Sequence, residues 1–271
     1  MNRSLQATVE QAIAAVPWVR WSIAITHDGR TLAAVHEHTR LRTASMGKVF
    51  LLVEVARRFA DGSLDPTTRL DTQGVEPVAD CGLWQHFPEV PLTVGAAAVL
   101  VASVSDNLAT NVLLDLVSLT AVSHVSEALG MPESAMLDRI RDERTGEHPV
   151  APSMGRAIDL AHFMEQAWHG NVLDDRVGDQ VRHWLSLGTD LSMVAGAFNL
   201  DPLAHAATGP RLINKTGTDV GVRADAGAIC ADAGCLSYAV IANWTEDPGH
   251  VSTADEVMAA LRAIGTCLRD G

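Results

Sequence analysis

Residues 43–50 read TASMGKVF, and they contain Lys48. Of 20 basic residues only Lys48 and Lys215 are lysines; the rest are arginine. Arginine stays protonated at any working pH, whereas a lysine whose pKa is lowered can accept a proton. Proton chemistry is therefore expected at Lys48. Ser45 stands three residues earlier. If Ser45 opens a helix, Lys48 lies one turn on, on the same face. The helix N-terminus favours negative charge on the serine oxygen. A hydroxyl and an amine so placed form an activated nucleophile with its base. Taken alone, Ser-x-x-Lys fits an N-cap serine and a surface lysine equally well.

Two further short stretches bear on that choice. Ser105-Asp106-Asn107 falls between two apolar helical runs, 92–104 and 107–118. Ser105 or Asp106 serves as a cap in the plainest reading. In the functional reading, Ser105 passes a proton to a leaving group. Asn107 offers its amide to Lys48 and to a substrate carbonyl, and Asp106 stays structural. Lys215-Thr216-Gly217 ends a strand. Its plain reading is an edge lysine before a turn. Its functional reading is a cation that holds a substrate anion and biases Lys48 toward the neutral amine. Gly217 lets the strand edge approach a ligand. The backbone N–H groups of Ser45 and Thr218 then make an oxyanion hole, aimed at charge that develops in the transition state.

Working outward, 19–36 reads as two strands around an Asp-Gly turn. The stretches 211–217 and 223–244 supply three more strands, and 252–268 a closing amphipathic helix capped by Ser252 or Thr253. Between them lie helices over 45–62, 92–104, 107–118, 120–130 and 153–170, two of them stopped by glycine. Residues 5–15 form an amphipathic N-terminal helix. Strands at both ends with helices between predict one α/β (α+β) domain over 1–271. Its sheet part covers about 1–44 and 205–271, and its all-helical part about 45–204.

All three motifs occur together, in the order and on the predicted helix, loop and strand of the penicillin-recognising serine hydrolases, and the two lysines fill the two lysine positions. The chain resembles that family over nearly its whole length, class A β-lactamases and their cytoplasmic serine-hydrolase relatives most, as VSDNLATNVLLDLV and NKTGTDVGVRADAGAI illustrate. The resemblance implies an antiparallel five-stranded sheet with an inserted helical subdomain. It also implies an acyl-enzyme on Ser45, Lys48 as base or proton relay, and Ser105 as proton donor to the departing nitrogen. The same resemblance implies that Lys215, Thr216 and Arg223 bind a substrate carboxylate, that Asn107 lines the site, and that Ser45 and Thr218 hold the oxyanion. Trp84 is either an aromatic wall of the cleft or core.

One part of the pattern is broken. Class A enzymes carry a water-activating glutamate in a loop that begins much like Leu137-Asp138-Arg139. Here Arg141 occupies that position, and the segment is several residues short. An arginine cannot act as the base. Glu143, Glu147 and His148 are the candidates left for deacylation; the plainer reading makes the two acids solvated and puts an ion pair around Arg139–Asp142. The expected activity is that of a serine hydrolase with lactam deacylation in doubt. The alternatives are a lactam-binding sensor with little turnover, an esterase or peptidase, and a domain that kept the fold and lost the chemistry.

The remaining composition bounds the partners. The formal net charge is −13 with no basic run, which argues against nucleic acid and anionic membrane surfaces. No uninterrupted apolar stretch of membrane-spanning length occurs. The first 21 residues show no signal-peptide core, so a cytoplasmic protein is expected, or an exported one if the chain has been trimmed. A small-molecule substrate is implied (β-lactam, ester, amide or peptide) and no cofactor. The four cysteines lack metal-ligand spacing. Cys230 and Cys235 bracket a short turn that could set them face to face across a hairpin; in a reducing compartment free thiols are expected. The histidines, His250 among them, are scattered, with no trusted metal pair; His162 is expected at a polar-core boundary.

Overall fold

A computed structural model describes residues 5–208, 212–231, 234–245 and 253–270. Helix α1 (Leu5–Ile13) leads into strands β1 (Arg20–His27), β2 (Arg30–Val35) and the short β3 (Leu41–Arg42). Then come α2 (Lys48–Ala60), β4 (Arg69–Leu70), β5 (Leu92–Thr93), α3 (Val94–Val104), α4 (Asn107–Val117) and α5 (Leu119–Ala128). Short strands β6 (Ala135–Met136) and β7 (Ser153–Gly155) precede α6 (Ala157–His169) and α7 (Asp175–Leu185). The chain closes with β8 (Leu212–Asp219), β9 (Val222–Ala231), β10 (Gly234–Asn243) and α8 (Thr253–Asp270).

The main sheet is antiparallel, in the order β2-β1-β10-β9-β8, so both ends of the chain build it as the sequence predicts. Asp28 and Gly29 both have positive φ (46° and 75°), the backbone that a tight two-residue hairpin requires. Side chains alternate across the strands. Ile23, Ile25, Tyr238 and Val240 pack against α8 and α1 on one face. Ala24, Ala226, Ala239 and Ile241 face the helical core on the other. The small residues on this second face let α6 lie close to the strands. Helix α6 therefore belongs to the sheet, although the sequence places it amid the helical part.

Three readings are corrected, and one helix is added. The predicted 153–170 helix begins only at Ala157, because Ser153–Gly155 pair with β3 and β6 instead. Helix α7 was not singled out in the sequence; Asp174 caps it, accepting from the N–H groups of Arg176 (2.9 Å) and Val177 (3.0 Å). His162 is exposed. Cys230 and Cys235 are direct cross-strand partners in β9 and β10 and form a disulfide. Ser252 and His250 lie outside the described residues.

Candidate active site

Ser45 sits in a 3-10 turn, Ala44–Gly47, that runs directly into α2. Ala44 has φ +49°, left-handed and costly for a residue with a Cβ. The turn is fastened from β7: Ser153 donates its hydroxyl to the Ala44 carbonyl, and the Thr43 and Ser153 hydroxyls lie 2.7 Å apart. Gly47 is required there, since a Cβ would stand 2.4 Å from Ser153 Cβ.

Gly217 serves the same turn from the sheet side. A Cβ on it would lie 2.1 Å from the Thr43 carbonyl and 3.2 Å from the Ser45 nitrogen. The sequence suggested that this glycine admits a ligand; what it admits is the backbone of the turn that carries Ser45. Gly217→Ala must push β8 and that turn apart. A misplacement of about 1 Å costs on the order of 10²-fold in rate. The expected outcome is a loss of that size in the nitrophenolate burst from an activated ester, with the chain still folded by circular dichroism.

The two lysines meet at Ser105. Lys48 Nζ donates to the Ser105 carbonyl (2.6 Å), to Ser105 Oγ (3.1 Å) and to Asn107 Oδ1 (2.8 Å). Lys215 Nζ donates to Ser105 Oγ (3.0 Å) and to the Thr216 carbonyl (2.9 Å). Ser105 ends α3 in the left-handed region (φ 56°, ψ 36°), which turns its carbonyl and its hydroxyl toward the same amine. Both lysines are buried. Burial first, and the charge of Lys215 second, lower the Lys48 pKa to about 7. Burial lowers Lys215 to about 8. A neutral amine and a charged one thus coexist near neutral pH, as proton transfer requires. Lys48 directs its hydrogen bonds at Ser105 and Asn107.

Asp106 is structural. Its Oδ2 accepts from the N–H groups of Leu83 (2.7 Å) and Trp84 (2.8 Å), and its Oδ1 caps α4 at Ala109 N (2.8 Å). Asn107 spends its Nδ2 on the Ala79 carbonyl (3.0 Å), bracing the 79–81 segment along the cleft, besides holding Lys48. Trp84 is fully buried, with its indole nitrogen bonded to Val90 O (2.9 Å); it is core, not cleft wall.

Two cavities share Ser45 and Thr218. The first, about 270 Å³, reaches Cys81, Ser105, Asp190, Lys215 and Thr216. The second, about 710 Å³, reaches Asn107, Asp142, Arg141, Arg144 and Arg223. Asp80, at φ +74°, lies between them and lines both. Arg223 pairs in register with Thr218, but its guanidinium donates to the carbonyls of Asp219 (3.1 Å) and Val222 (2.8 Å) and lies over Trp244. Thr216 Oγ1 donates to Asp190 Oδ2 (2.7 Å), a partner invisible in the sequence. Asp190 stays ionised: burial would raise its pKa, but hydrogen bonds from Ser192 and Thr216 and the Lys215 charge hold it below the ordinary value. Behind it, burial raises the Asp225 carboxyl to about 7, despite hydrogen bonds from Ala195, Asn214 and Tyr238.

The 137–152 loop contributes Arg141 and Arg144 to the larger cavity that Ser45 also lines. Arg141 (2.9 Å) and Arg144 (2.7 Å) share Asp138. Arg139 pairs with Asp115, and Asp142 accepts from Ala79 N (3.0 Å); the local ion pair expected around 139–142 is made by Arg141 with Asp138. Asn111 clamps the loop through both polar atoms of Ile140, each at 2.9 Å. Glu143 and Glu147 are exposed, and His148 turns its Nδ1 to Thr145 (3.1 Å). None of these three lines either cavity.

A family model described as the beta-lactamase enzyme family matches residues 3–270. This chain belongs to that family. Its fold is the β-lactamase fold of solved neighbours. A β-lactamase from Sphaerobacter thermophilus is 24% identical, with a TM-score of 0.82, over 97% of this chain and 94% of that one. A β-lactamase from Xanthomonas campestris is 19% identical, with a TM-score of 0.79, over 98% and 96%. A point mutant of PBP-A, solved as an acyl-enzyme complex with penicillin G, is 19% identical, with a TM-score of 0.77, over 98% and 95%. No curated protein matches. Within this β-lactamase-family fold, the sequence motifs fall in one cleft, whereas the cations at 141 and 144 stand where a water-activating acid was sought.

Proposed function

We propose that this β-lactamase-family chain is a serine hydrolase that forms an acyl-enzyme on Ser45 and releases the acyl group slowly. The observation that carries the reading is the convergence of Lys48 and Lys215 on Ser105 Oγ, in the cleft that Ser45 lines. Neutral Lys48 takes the Ser45 proton as Oγ attacks the substrate carbonyl. Ser105 Oγ, between the two amines, passes a proton to the leaving group. The N–H groups of Ser45 and Thr218 face the developing oxyanion. Acylation thus has a nucleophile, a base and a proton donor.

Deacylation has fewer means. Arg141 and Arg144 supply positive charge on the side where the acyl carbonyl meets water, and neither can accept a proton. Lys48 is then the base for water, after its proton has moved on through Ser105. The same loop chemistry favours the second reading, a sensor that traps a lactam. Intact mass spectrometry after mixing with penicillin G and, separately, with a short-chain nitrophenyl ester tests the proposal. The expected result is an adduct on Ser45 that outlasts its own formation. Rapid product release with no adduct contradicts slow release, and an adduct that never decays supports the sensor.

A further inference from the structure

Away from the catalytic cleft, where the end of α1 meets the start of β1, lies another cavity of about 500 Å³. It shares no residue with the two that Ser45 lines. Val16, Val19, Trp21 and Val35 give it an apolar wall. Its volume falls in the range of small-molecule sites, about 300–1,000 Å³. The last turn of α1 is closed beside it, since the carbonyls of Glu10 and Ile13 accept from Ala14 N and Val16 N (3.1 Å each).

Two groups at this cavity lack what their chemistry asks for. Trp21 is only 5% exposed, and its indole N–H is buried without a hydrogen-bond partner. A buried tryptophan N–H is ordinarily paired, so this one calls for an acceptor. Arg20, the preceding residue, is exposed on the rim, and no described residue takes its guanidinium. No Asp or Glu lines the cavity, in a chain with 33 acidic residues against 20 basic ones. His36 borders the same rim, where its positive φ (46°) and the bond from Thr39 N to its carbonyl (2.8 Å) turn the chain away from β2. An apolar wall, a donor without an acceptor and an uncompensated cation thus meet in one place. One guanidinium suits the two oxygens of a carboxylate.

We infer that this cavity binds a small amphipathic carboxylate, whose apolar body lies against the valines and the Trp21 ring, and whose head pairs with Arg20 and offers the Trp21 N–H an acceptor. The site is independent of the reaction at Ser45.

Octanoate and octanamide share a chain and a head shape and differ in charge, so they serve as the probes. The nitrogen-15-labelled full chain carries six indole N–H groups. Trp21→Phe keeps a ring, deletes one N–H and so identifies its signal; triple-resonance assignment identifies it if that variant fails to fold. No tryptophan lines either cavity at Ser45, so a shift of the Trp21 signal marks this site and not the cleft. The expected result is a saturable shift of the Trp21 indole signal with octanoate. Octanamide should bind about two- to fivefold more weakly, the scale of one solvent-exposed ion pair. Arg20→Gln should bring the two probes to parity. A Trp21 signal that does not move, or moves without saturating, overturns the site. Octanamide binding as tightly as octanoate to the native protein overturns the carboxylate, and a ratio unchanged in Arg20→Gln removes Arg20 from its recognition.

Discussion

Ser45→Ala is expected to lose acylation by activated esters and lactams by a factor of at least about 10³, the scale seen when a serine nucleophile is removed. The fold should survive. The bonds that shape the nucleophile turn belong to Thr43, Ala44 and Ser153, with Gly217 packed beneath, and none uses the Ser45 hydroxyl. The variant should therefore melt close to the native protein while giving no nitrophenolate burst and no mass adduct. Activity retained by Ser45→Ala at the native level would defeat the whole catalytic assignment.

Lys48→Arg is the second large loss, on the order of 10³-fold, and it separates charge from proton transfer. Arginine keeps the cation and cannot become a neutral base. In the native protein, Lys48 is protonated below about pH 7 and cannot accept from Ser45. The acylation rate should rise as pH climbs through that value. Above about 8, Lys215 loses its charge, and its hydrogen bond to Ser105 is no longer charge-assisted. The expected profile is a rise, a narrow maximum and a fall, whose limbs belong to the coupled pair of amines rather than to either alone. Lys48→Arg should flatten the rising limb. Arginine also places a larger group where Ser105 O and Asn107 Oδ1 await donors, so unmet acceptors cost about 1–3 kcal/mol each. Rates must be compared per folded molecule, with thermal melts alongside. Native-like rates in folded Lys48→Arg would remove Lys48 from the role of base.

Much of the site was legible because the chemistry is written in short local spacings. Ser45 and Lys48 are one turn apart, Ser105-Asp106-Asn107 is a helix junction, and Lys215 to Thr218 is one strand. Each sits on the element the sequence implied. Asp106 was read as structural from its neighbours alone, and its caps bear this out. What stayed hidden depends on contacts across the chain. Asp190 reaches Thr216 over 26 residues, and nothing in Gly188-Thr189-Asp190 signals that pairing. Ser153 reads as the first residue of a helix until β3 and β6 claim this stretch of backbone. The disulfide turned on a compartment argument, whereas strand register alone puts Cys230 opposite Cys235. The loop was half-read: Arg141 in place of an acid was visible, but its sharing of Asp138 with Arg144 was not.

The central claim is that Lys48, neutral near pH 7, makes Ser45 the nucleophile of this cleft. Trypsin cuts after Arg42 and after Lys48, which isolates Ser45 in the peptide 43–48. Labelling with a nitrophenyl ester from pH 5 to 9, followed by peptide mass mapping, reads both the site and its proton dependence. The account predicts one acyl group on peptide 43–48, forming faster as pH rises through about 7. An acyl group on another peptide, or a Ser45 labelling rate indifferent to pH across that range, would contradict it.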